Sequence, residues 1–195
     1  MWRSPSGCMK PSSAYRPSSD MSLPWANSEF RWPVAVERTI DAPAQAVWDA
    51  ISMPGNLEPC HPFCASNIVH AWPGPRSSDE IRYLSGLIYE RHFSAWHEGV
   101  GYDLEIQRRN DVIASVSWRI SAIDDRTCAL QITVYPQLLQ NVPIVVRWLP
   151  HLLRLRPMLR SYLESVTQGF EWYVTRGEPV PRDQFGKHRW FSAQQ

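Results

Sequence analysis

Five runs of alternating apolar and polar residues follow one another between Glu80 and Val134, and only a few residues separate each from the next. In the fourth run Val112, Ala114, Val116, Trp118, Ile120 and Ala122 alternate with Ser115, Ser117, Arg119 and Ser121. In the fifth, Cys128, Leu130, Ile132 and Val134 alternate with Gln131 and Thr133. A period of two is that of an extended strand. The links at Gly86, Gly99-Val-Gly101, Asn110-Asp111 and Asp124-Asp125 are too short for a parallel crossover, so successive strands are antiparallel. One face of such a sheet is polar and meets water. The other is apolar and must be covered.

The cover lies downstream. Leu155, Leu159, Tyr162, Val166, Phe170 and Tyr173 recur at helical spacing between Pro150 and Arg176, and Gly177 stops the helix. Upstream, Val34–Ile40 alternates as a strand, and Asp41-Ala-Pro43 reads as a helix start with Asp41 as the cap. Ala46, Val47, Ala50 and Ile51 continue that helix until Met53-Pro54-Gly55 ends it. A second short helix fits Asn56–Cys60, and a strand fits Ser66–Ala71 before the break at Trp72-Pro-Gly-Pro75. The expected fold is α+β: a seven-stranded curved antiparallel sheet gripping a long C-terminal helix, with two short helices after the first strand.

This order, together with Ile40-Asp-Ala-Pro-Ala-Gln-Ala-Val-Trp-Asp-Ala-Ile51, resembles the START-like helix-grip superfamily (SRPBCC), which includes polyketide cyclases and the major birch pollen allergen. The likeness covers about residues 33–176. It implies a cavity between sheet and helix that takes up lipids, sterols or polyketides. The superfamily has no universal catalytic set, so no active residue is carried over.

Composition narrows the function classes. Twenty Lys and Arg against 19 Asp and Glu leave a net charge of +1, which supplies no field for nucleic acid. Ten Trp can line a core or a ligand cavity. Thr127–Val146 is uncharged and long enough to raise the question of a membrane span. Its glutamines, Asn141 and two prolines make it strand plus loop instead. Residues 1–30 contain eight Ser and four Pro and read as a disordered leader, with Met21 a candidate start. The domain proper is expected over residues 31–177. The tail over 178–195 carries Phe185, Trp190 and Phe191 among charges and is a candidate to dock. The four cysteines do not make a disulfide scaffold, which suits a cytoplasmic protein with free thiols.

Six residues are candidates for the site: His61, Tyr83, Tyr89, Arg91, Trp118 and Tyr162. Trp118 sits on the apolar face of a central strand and offers an indole N–H. Tyr83, Tyr89, Arg91 and Phe93 share one parity provided Gly86 does not shift the register. If they face inward, Arg91 needs a carboxylate, and Asp103 or Glu105 is in reach; a bulge would turn it outward instead. His61 is either a general acid or base or a histidine bonded to loop backbone. Cys60, His61 and Cys64 have metal-like spacing but lack a second pair, so no metal is expected, and no cofactor. Arg147, Arg154, Arg156 and Arg160 lie in a stretch without acids and are candidates for peripheral membrane contact.

The function expected is the binding of a small hydrophobic ligand, lipid-, polyketide- or isoprenoid-like. One alternative is a cyclase or aromatase using His61, Tyr89 or Arg91 for proton transfer. Another is a membrane-docking lipid-transfer module.

Overall fold

The computed structural model describes residues 32–137 and 150–194. The leader, Met21 and Arg147 lie outside the described residues. The chain runs β1 (Val34–Ile40), α1 (Ala44–Ser52), α2 (Leu57–Cys60), β2 (Cys64–Ala71), β3 (Ser78–Tyr83), β4 (Ile88–His97), β5 (Gly101–Arg108), β6 (Asp111–Ala122) and β7 (Cys128–Pro136). A turn of π-helix at His151–Leu155 then leads into α3 (Arg156–Arg176). The strands form one antiparallel sheet in the order β1-β7-β6-β5-β4-β3-β2. The meander read from the alternation is therefore present, and β1 closes its far edge against β7.

Alternation settles which face is which. On β6 and β7, Val116, Trp118, Ile120, Leu130, Ile132 and Val134 are all buried toward α3. The hairpin at Gly86 keeps register: Gly86 takes φ +84°, Tyr83 N–H donates to Leu87 O at 2.9 Å, and Ile81 faces Tyr89 across the ladder. Tyr83, Tyr89, Arg91 and Phe93 consequently share the inner face.

Two local expectations are corrected. The first helix is not capped by Asp41: Pro43 occupies the cap with φ −58° and ψ 146°, and its carbonyl accepts the Ala46 N–H at 3.0 Å. Proline suits that place because its fixed φ fits an extended residue just ahead of a helix. The long C-terminal helix is present as expected, and its first turn is π-helical over His151–Leu155 just ahead of Pro157, which has no N–H for the carbonyl four residues back. The outer face of the sheet is not uniformly wet. Asp103, Ser115 and Ser117 are buried there, with Arg119 folded onto Asp103 at 2.7 Å.

α3 reaches the sheet along β1 and meets α1 and α2. Its closest approach is at Gly169, where an added Cβ would stand 2.1 Å from the Cys60 carbonyl oxygen. Only glycine lets the two helices come that near. Gly177 ends the helix in the left-handed region at φ +69°, donating its N–H to Tyr173 O at 2.8 Å. The tail then turns back over the domain. Val180 N–H bonds Pro59 O, Asp183 N–H bonds Pro62 O, and Phe191 O accepts from Ser85 N–H.

Candidate functional site: a cavity between sheet and helix

Trp118 on β6 meets Phe170 of α3 edge-on at 5.1 Å, so floor and roof touch at that point. Toward the N-terminal end of α3 they part, leaving a cavity of about 110 Å³. Val116, Trp118 and Ile132 contribute to its floor, and Leu159, Tyr162 and Val166 to its roof. All six sequence candidates line it: His61, Tyr83, Tyr89, Arg91, Trp118 and Tyr162.

Three of them form a hydrogen-bonded chain. His61 Nε2 lies 2.9 Å from Tyr162 Oη, and Tyr83 Oη lies 3.0 Å from the same oxygen. Phe63 N–H donates to His61 Nδ1 at 3.1 Å, so the ring proton of the neutral imidazole sits on Nε2 and points at Tyr162. Burial, aided by the nearby Arg91 charge, pushes the His61 pKa down to about 3. Burial also pushes the Tyr83 and Tyr162 phenols well above their ordinary range. Near neutral pH all three groups are uncharged.

Arg91 faces inward, and its partner differs from the two expected. Asp79 lies directly opposite on β3 and takes Arg91 Nε at 2.7 Å, with a second contact from Nη2 to its other oxygen. Asn56 Oδ1 accepts from Nη2 at 3.0 Å. Asp103 points to the outer face and serves Arg119, because residues of odd and even parity leave β5 on opposite sides. Burial opposes the Arg91 charge, but the Asp79 carboxylate outweighs it and holds the guanidinium protonated.

Among the wall residues the sequence reading did not place are Trp190 and Phe191 from the tail. Phe191 packs on Tyr83 at 4.4 Å and on Tyr162 at 4.5 Å. Adjacent aromatics in a charged tail were the only available signal. It marked docking without saying where. Cys60 and Cys64 are buried thiols beside the site, the latter pushed up to about 12 chiefly by burial. Arg154, Arg156 and Arg160 are exposed and lie outside the cavity wall.

With strand order, helix and cavity in view, comparison with solved structures decides the architecture. A START superfamily protein from Mycobacterium smegmatis aligns with TM-score 0.56 at 13% identity, over 74% of this chain and 97% of that one. The fold is the START-like helix grip. Norcoclaurine synthase from Thalictrum flavum, a point mutant bound to a transition-state analogue, aligns with TM-score 0.55 at 11% identity, covering 75% and 95% of the two chains. DynU16, encoded in the dynemicin biosynthetic locus, aligns with TM-score 0.57 at 12% identity over 77% of this chain, which spans only 50% of DynU16. No family model matches the sequence, and no curated protein does.

Proposed function

We propose that the chain binds a small hydrophobic molecule in the cavity between the sheet and α3. The carrying observation is the wall itself: an apolar floor and roof around about 110 Å³, with few polar groups. Dry cavities of about 150 Å³ lined by Leu, Ile and Phe take up benzene. This smaller volume suits at most a single ring, so a bicyclic compound, a long lipid or a tetracyclic polyketide requires the walls to move apart. A single-ring aromatic burying about 150 Å² gains roughly 4 kcal/mol before ordering costs. Affinity of about millimolar or weaker follows unless polar contacts add to it. The buried free thiols suit a cytoplasmic setting.

A second reading, catalysis of the cyclase kind, draws on the convergence of His61, Tyr162 and Tyr83 beside Arg91. These groups can polarise a carbonyl. They make poor bases, because His61 is neutral with its exposed nitrogen protonated. Binding is the better supported of the two. Membrane docking draws on the exposed Leu152 and Leu153 beside Arg154 and Arg156, and predicts adsorption to anionic vesicles that weakens with salt.

The test is native mass spectrometry of gently purified protein, with identification of any co-purifying small molecule. A bound hydrophobic compound at one per chain is expected. Protein that arrives without one and shows no thermal shift with a panel of aromatic, isoprenoid and polyketide compounds would refute the reading.

A further inference from the structure

The polar side chains of this wall all donate, and apart from His61 Nδ1 only the phenol oxygens of Tyr83, Tyr89 and Tyr162 also accept. His61 Nε2–H and the O–H groups of Tyr83 and Tyr162 supply three protons for the two hydrogen bonds that join them. One phenol O–H is therefore left over, whichever tyrosine carries it. His61 Nδ1, the acceptor on that ring, is already taken by Phe63 N–H. The Asp79 and Asn56 contacts occupy Arg91 Nε and Nη2, so Nη1 keeps two N–H groups with no partner among the described residues. Trp118 and Trp190 add only indole N–H groups to the wall. No carboxylate, lysine or carboxamide side chain lines it among the described residues.

We infer that the cavity selects apolar ring compounds bearing an acceptor oxygen, such as an aryl ketone or a quinone, and rejects amines. This rests on the binding reading above and names its ligand class. A ketone oxygen placed near the tyrosine pair and Arg91 meets donors that have no other partner, and burial keeps water from competing for them. An ammonium group there meets the like charge of Arg91 and no carboxylate, with only phenol oxygens to accept from it. An alkyl group of the same shape fits but leaves the donors unpaired.

The experiment compares acetophenone, ethylbenzene and 1-phenylethylamine on the intact chain at pH 7, with affinity read by calorimetric titration and the ketone's C=O band read by infrared. Water solvates the ketone better than the hydrocarbon, so pure hydrophobic uptake favours the ethyl compound. The donor set predicts that the ketone binds at least as tightly. It also predicts a C=O band below its position in hexane and an amine at least tenfold weaker than the hydrocarbon. A ketone weaker than the hydrocarbon, a band at its hexane position, or an amine equal to the hydrocarbon overturns the inference while leaving hydrophobic binding in place. Failure of all three compounds to bind overturns the binding reading itself.

Discussion

Asp79 and Arg91 hold opposite charges in a part of the protein with almost no access to water; their side chains are 0% and 4% exposed. Such a pair does not by itself stabilise a fold much, but losing one member strands the other. Asp79→Asn is expected to lower unfolding free energy by about 3–5 kcal/mol in urea titration, and Asp79→Leu with Arg91→Met by clearly less. His61 supplies a pH signature. Its unfolded imidazole titrates near 6.5 but the folded one only near 3, so between those values the unfolded chain binds a proton that the folded chain refuses. Stability should fall as pH drops from 6.5 toward 3, by about 1.4 kcal/mol per pH unit from this group, with His188, also lowered by burial, adding to the slope. Chemical denaturation of His61→Gln at pH 7, 6 and 5 should show that slope reduced; an unchanged slope would mean His61 is not the group responsible.

Between helices, Gly169 of α3 makes a tight joint against the Cys60 carbonyl. Helix propensity alone says Gly169→Ala gains about 1 kcal/mol. The contact with backbone says it loses about 2–3 kcal/mol, because a carbonyl cannot rotate away as a side chain can. The sign of the change in thermal unfolding distinguishes them, and a loss is expected. Phe191→Ala should cost about 3 kcal/mol and widen the cavity, seen as a relative gain in affinity for larger ring systems. Elements of this kind differ in how far sequence exposes them. The strands and α3 were legible because each follows one period over many residues, and so was the parity shared by Tyr83, Tyr89 and Arg91, whereas the face it takes is decided only by the register kept at Gly86. The Arg91–Asp79 pairing was not legible, since Asp79 and Arg91 become neighbours only once the β3–β4 register is set. Nor was the tail's place over Tyr83 and Tyr162, which depends on where the chain goes after Gly177.

For the molecule as a whole, the sheet and α3 meet at one edge and through the Trp118–Phe170 contact, and the space beyond is enclosed by apolar side chains and the returning tail. A core packed to ordinary density would leave no such gap. Its persistence makes sense if a small apolar molecule completes the core, and no helix among the described residues is long and apolar enough to place the chain across a membrane instead. The most direct measurement is a set of intermolecular NOEs between benzene protons and the methyl groups of the 13C-labelled chain. Uptake into the cavity predicts contacts to Val116, Leu159 and Val166, on floor and roof together. Contacts confined to exposed Ile68, Ile123 or Leu153, or none at all, would contradict it.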